Sequence, residues 1–232
     1  MEPLPVELMN TVRADRDGVH DTIADPAAAA RWLREARPRS RAAAEANGDA
    51  GVDIGVGIAG WEAIAELRDL RDALRVLAAA TTGDDREPAG PSARDDHREP
   101  AGPSARDERE PARPSAGDLA AAVIVVNRAC ARAPSWSELH WPDPDDKDAG
   151  PERAVRTAHA PALAAVAAIA EEAVALFAGP DRALLRACRA PGCVLYFIRN
   201  HPRREWCSDG CGNRARVARH YQRHHGGSKE GG

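Results

Sequence analysis

Apolar residues recur at helical spacing through four stretches of the chain, and the pattern lapses between them. In "WEAIAELRDLRDALRVLAAA", residues 61–80, Ile64, Leu67, Leu70, Leu74 and Leu77 fall on one face, while Arg and Asp occupy much of the other. That periodicity predicts an amphipathic helix. A helix is also predicted within residues 21–46, where Asp25 can cap "PAAAARWLREA", Pro26 suits the first helical position, and Trp32 and Leu33 supply apolar anchors. "DLAAAVIVVNRACARA", Asp118 to Ala133, predicts a strongly apolar helix. A fourth helix, from Pro161 to Ala178, is interrupted by Glu171 and Glu172 and reads as a buried amphipathic element. It stops at Gly179-Pro180, a termination signal and a candidate domain boundary.

Three near-copies of one motif, starting at Arg86, Arg98 and Arg109, separate the second and third helices: "REPAGPSARDDH", "REPAGPSARDE" and "REPARPSAGD". No copy holds a large apolar residue that could build a core, so residues 83–117 are expected to form a disordered linker. A second loop, "WPDPDDKDAGPE" at 141–152, is acidic. Its Asp143, Asp145, Asp146 and Asp148 invite a calcium reading, but Asp148 stands where an EF-hand turn needs Gly and no Glu follows at the twelfth position. A solvated turn is expected. "GVGIAG" at 55–60 matches the phosphate-cradling G-x-G-x-x-G, yet only "VDI" precedes it as a strand, and a helix and the repeats follow where a second strand is needed.

Charge changes the picture. The 232-residue chain has a formal net charge of -4, but residues 181–225 carry ten arginines against Asp181, Glu205 and Asp209, a net of +7, which leaves -11 for residues 1–180. Such segregation predicts an anionic partner for the C-terminal segment. No run of 18 uninterrupted apolar residues is present, and "MEPLPVELMNTV" lacks the basic start and apolar stretch of a signal peptide. A cytoplasmic protein without a membrane partner is expected, and in that reducing compartment clustered cysteines serve metals more often than disulfides.

Four of the five cysteines fall in this basic segment. Cys188, Cys193, Cys207 and Cys211 are spaced C-x4-C-x13-C-x3-C, two short pairs that can converge on a tetrahedral zinc. The flanking "LLRAC" and "VLYFIRN" predict a β-hairpin knuckle, and Ser208 or Asp209 can cap a helix that carries Cys211 in its first turn. Four thiolates leave no open position, which makes the metal structural. His201, His220 and His224 are reserve ligands; free thiols or two disulfides are the alternative for the quartet. Cys130, with no basic neighbour in sequence, reads as a small buried hydrophobe.

On the predicted last helix, Cys211, Ala215, Ala218 and Tyr221 are expected to face the zinc core. Arg216, Arg219 and Arg223 form a separate stripe suited to phosphates or guanine edges, with Arg203 and Arg204 supplementing it from the preceding loop. Arg214 falls toward the cysteine face and is expected to act near the metal. An acidic protein surface is the competing partner for these arginines.

"WCSDGCGNRARVARHYQR", with the upstream "CRAPGC" and "YF", resembles the CGNR zinc finger, named for the tetrapeptide standing here as Cys211, Gly212, Asn213 and Arg214. The segments "LMNTV", "DPAAAARWL", "LRDLRDALRVLA" and "VNRACARAPSWSEL" resemble the ABATE domain that commonly precedes that finger. The resemblance implies a stress-related transcription regulator with a DNA-binding finger, and it carries the ligand role to the same four cysteines. Many family members have an Asp and a Ser where this chain has "FIRNHPRRE", so no role transfers to those positions.

The expected fold is mainly α: a helical N-terminal domain over 1–180 interrupted by the linker, a small zinc-stabilised α+β finger over 181–225, and a disordered tail over 226–232. The expected function is a DNA-binding transcription regulator holding one structural zinc, with the helical domain serving effector sensing, homodimerisation or both. A zinc-stapled protein-interaction module is the alternative, followed by a nucleotide-binding enzyme through residues 55–60. No paired carboxylates or base-activated nucleophile stand in a context that supports catalysis.

Overall fold

The computed structural model describes residues 2–15, 18–36, 58–86, 113–143 and 150–225. Six α-helices and three two-stranded antiparallel sheets are present among them. In order these are α1 (Leu4–Met9), β1 (Val12–Asp15), β2 (Gly18–Asp21), α2 (Pro26–Ala36), α3 (Ile58–Thr82), α4 (Ala116–Arg132), β3 (Ser135–His140) and β4 (Glu152–Thr157). Helix α5 (Pro161–Ala178), a 3-10 turn (Pro180–Leu184), β5 (Leu185–Ala187), β6 (Tyr196–Ile198) and α6 (Asp209–His225) follow. The fold is mainly α, as expected. Residues 55–57 of the glycine motif, 87–112 of the repeats, 144–149 of the acidic loop, residues 37–46 and the tail lie outside the described residues.

Helix α3 is central. It packs against α4 and α5, which also pack on each other, while α1 and α2 lie against α3 and α5. Ile64, Leu67, Leu70 and Leu74, the face read from periodicity, are buried, with Leu77 at the margin. Each fully buried leucine stabilises the core by about 1.5–3 kcal/mol. By length and composition α5 could cross a membrane, but half of it is buried inside the protein, the position of a core helix. Its Val166, Ile169, Ala170 and Ala173 sit in the same cluster as the leucines of α3.

The helix starts follow their sequence signals. Asp25 Oδ2 accepts from the Ala28 N–H at 2.9 Å, so the first turn of α2 is capped as expected. Helix α4 starts two residues before Asp118, because Ser115 caps it and Asp118 closes a reciprocal capping box. Both residues belong to the third repeat copy. Within α3, Arg71 is 2% exposed and pairs with Asp21 at 2.7 Å and Asp72 at 2.8 Å, which ties the end of β2 to the central helix.

The hairpins β1–β2 and β3–β4 were not legible. The β3 and β4 segments, "SWSELH" and "ERAVRT", are exposed or half-buried at every position, so no apolar alternation marks them. The hairpin β5–β6 was legible, and it forms a wall between two cores. Leu185, Ala187 and Tyr196 join the helical core, with Ile198 packed against it; Phe197, between Tyr196 and Ile198, points the other way into a cluster with Cys188, Cys193 and Cys211. Alternation along one strand therefore serves both sides at once.

Candidate metal centre and nucleic-acid interface

The knuckle between Cys188 and Cys193 turns at Gly192, whose φ of 71° is a left-handed conformation that side chains disfavour. Cys188 N donates to Leu195 O at 2.9 Å and Cys193 N to Ala190 O at 3.0 Å, closing the turn beneath the thiols. Cys211 comes from the first turn of α6, where its N–H meets Ser208 Oγ at 3.3 Å. Ser208 is one of the two caps the sequence offered; Asp209, the other, is the first residue of α6. A Cβ on Gly212 would stand 3.1 Å from the Trp206 ring, so this glycine lets the helix approach the loop that delivers Cys207.

The four Sγ atoms lie within 4.8 Å of one another, with Cys193–Cys207 at 3.8 Å and Cys207–Cys211 at 3.4 Å. Four sulfurs at the usual Zn–S length of about 2.3 Å stand about 3.8 Å apart on a tetrahedron. Cys188, Cys193 and Cys211 are buried and Cys207 half-buried. The donor set fits one structural zinc. Crowding supports a dication: hydrogen bonds from Cys193 and Cys207 drive the Cys188 thiol down, while interaction with Cys188 pushes Cys193 up to about 11 and Cys207 further up. Without a cation one thiolate forms at the expense of the others; a metal lets all four ionise.

Among the described residues the cluster contains the four cysteines and no histidine. His201 Nδ1 accepts instead from the Arg203 N–H at 3.1 Å. Arg214 Nη2 donates to Cys211 Sγ at 3.0 Å, the place near the metal expected of it. Cys130 packs at the edge of the helical core, and burial raises its thiol.

Ala215 is buried and Ala218 half-buried, on the same face of α6 as Cys211. Tyr221 was expected with them, but it is 60% exposed. The finger core is only as deep as the cysteine cluster, and α6 has run past it by that turn. Arg216, Arg219 and Arg223 are exposed along one face. Arg219 also stands 5.9 Å over the Trp206 ring, and Arg216 bonds Asn213 Oδ1. Arg203 is exposed, whereas Arg204 turns inward. Its guanidinium meets Glu2 at 2.6 Å, Ile198 O at 3.0 Å and Cys207 O at 3.1 Å, and lies 4.9 Å over Phe197.

One functional group of residues had no local sequence signal. Arg86 Nε binds Asp84 at 2.6 Å, and its Nη1 reaches the carbonyl oxygens of Cys188, at 2.9 Å, and Cys193. Tyr196 Oη donates to Asp84 at 3.0 Å, and Arg75 donates to Met9 O at 2.9 Å and Val194 O at 3.3 Å. Burial pushes the Tyr196 phenol up to about 12. The bonds from Arg86 to the knuckle, from Tyr196 to Asp84 and from Arg75 to Val194 each join residues more than a hundred positions apart, beyond any spacing rule.

Residues 2–180 match the ABATE family, described as "Putative stress-induced transcription regulator", and residues 184–224 match the CGNR zinc finger. Both are regulator and zinc-finger types, not enzyme families. No curated protein matches the chain.

Proposed function

Because the chain belongs to the ABATE family and carries a CGNR zinc finger, we propose that it is a DNA-binding transcription regulator whose finger supplies the contacts to DNA. The observation that carries this reading is the exposed row Arg216, Arg219 and Arg223, which flanks the face of α6 that holds Cys211 and Ala215. A metal-anchored helix presents its guanidiniums at fixed spacing, which suits phosphates and base edges. Zinc and four thiolates together carry -2, so residues 181–225 keep a net of about +5.

Arg203 adds a phosphate contact from the loop before Trp206. Arg204 acts indirectly, because its donors hold that loop to Glu2 and the finger backbone. In this reading residues 181–225 form the finger and residues 1–180 the helical domain, and the linker expected over 83–117 is shorter, because Asp84 and Arg86 bind at its start and Ser115 caps α4 at its end. That domain senses an effector, dimerises, or does both, in the cytoplasm.

The test is the triple variant R216A/R219A/R223A, compared with the parent on mixed-sequence duplex across a salt series. Each lost phosphate contact lowers the salt slope by about 0.9. The expected result is weaker binding, a flatter slope and unchanged zinc content. Equal affinity of variant and parent removes the stripe from the account; no binding by the parent at low salt moves the basic face to an acidic protein partner.

A further inference from the structure

A cavity of about 250 Å³ opens where the end of α3, the start of α4 and the zinc knuckle meet. Its floor holds Arg75, 7% exposed, whose guanidinium donates to the carbonyl oxygens of Met9 and Val194 and lies 5.4 Å over the Tyr196 ring. Among the described residues no carboxylate forms an ion pair with Arg75. A buried cation that meets backbone oxygens and a ring face but no paired carboxylate keeps much of its charge uncompensated.

The acids of the wall are already engaged. Asp84 is bound by Arg86 and the Tyr196 hydroxyl, and Asp118 closes the α4 capping box with Ser115. Arg113, exposed at the mouth with its Nη2 beside Gly83, forms no ion pair among the described residues. Val76, Ala79 and Val194 line the same cavity as these two cations.

We propose that this cavity binds a small organic carboxylate, its charged end between Arg75 and Arg113 and its apolar body against Val76, Ala79 and Val194. The volume admits a ligand on the order of ten non-hydrogen atoms, below the usual range for larger cofactors. A carboxylate fits better than a phosphate, because the α4 N-terminus that could cradle further anionic oxygens is filled by Asp118.

Binding would be felt by the finger. Val194 of the cavity lies between the knuckle and β6, Tyr196 opens β6, and Arg86 joins the cavity wall to the Cys188 and Cys193 carbonyls. A ligand that neutralises Arg75 therefore firms the seam between the helical core and the metal centre. Only this consequence, an effector acting on DNA affinity, rests on the regulator reading; the binding does not.

The experiment titrates the zinc-loaded full chain, without DNA, with benzoate and hexanoate, and with benzamide and inorganic phosphate as controls, by calorimetry. The same titrations on Arg113→Gln test the site at a residue whose exposure makes the fold insensitive to it. The expected result is carboxylate binding at least tenfold tighter than benzamide and phosphate, weakened at least tenfold in R113Q, with an unchanged ligand-free melting temperature. No carboxylate binding, equal binding of benzamide or phosphate, or equal binding by R113Q overturns the proposal. DNA anisotropy with and without benzoate then separates the two readings: a bound carboxylate in a chain that ignores DNA leaves the cavity standing and removes the regulator.

Discussion

The helical core and the finger core solve the same problem with different means. The first buries Leu67, Leu70 and Leu74 of α3 among side chains from α1, α2, α4 and α5, and rests mainly on apolar packing, with Arg71 and Asp21 paired at its edge. The second has Phe197, Ala190 and three buried cysteines, with Leu195, Trp206 and Cys207 at its margin, too little apolar surface to hold a fold by itself. It makes up the difference with a metal and with contacts borrowed from its neighbour. Glu2 holds Arg204, Asn10 holds the Tyr196 backbone, and Arg86 holds the knuckle carbonyls. The lesson is that the finger is fastened along the β5–β6 wall, and a change on either side of that wall should reach the other.

Removing zinc breaks the comparison hardest. Structural zinc in isolated fingers contributes about 10–16 kcal/mol of apparent binding free energy at neutral pH. Chelation should abolish hydrogen-exchange protection across 188–225, weaken it at 185–187 and 196–198, and spare the centre of α3. Unchanged protection in β5 and β6 would show that the wall is not shared.

Leu70→Ala attacks the other core, at an expected cost of about 2–5 kcal/mol in denaturant unfolding, with zinc still bound. Asp84→Ala strikes the seam. It leaves Arg86 and the Tyr196 hydroxyl without their acid, and because Arg86 is about a quarter exposed, a loss of about 2–3 kcal/mol is expected, below that of a fully buried pair. The seam also adds acid sensitivity. Burial opposes ionisation of Asp84, but the Arg86 hydrogen bond and charge outweigh it and hold the carboxyl below its usual range. A folded-state pKa depressed in this way gives stability that is present above about pH 4 and lost as pH falls through the lower folded value. Asp84→Asn should flatten that acid limb relative to the parent, read by urea titrations at pH 3 and pH 7. The smallest effect belongs to Ser115→Ala, which removes the α4 cap at about 1 kcal/mol without touching the finger.

Local signals were legible in the sequence and long-range ones were not. Helical periodicity gave the α3 face, Asp25 and Ser208 marked helix starts, the cysteine spacing gave the metal cluster, and the apolar segments flanking Cys188 and Cys193 gave its hairpin. Tyr221 was misplaced because periodicity names a face but not how far along the helix the core extends. The hairpin β3–β4 was missed because surface strands bury no alternating face. The Asp84–Arg86–Tyr196 seam was invisible for another reason: Tyr196 read as an apolar strand residue, Arg86 as the start of a repeat, and only the fold brings them together. The same gap made Arg204 look like a phosphate ligand, since its partner Glu2 stands two hundred positions away.

The most direct test of the account is fluorescence anisotropy of the full chain on labelled mixed-sequence duplex across a salt series, with zinc-loaded and zinc-stripped samples side by side. Steep, salt-dependent binding by the loaded protein that disappears with the metal is the expected result. Binding that survives zinc removal, or its absence from the loaded protein even at low salt, would contradict a metal-anchored arginine face as the DNA contact.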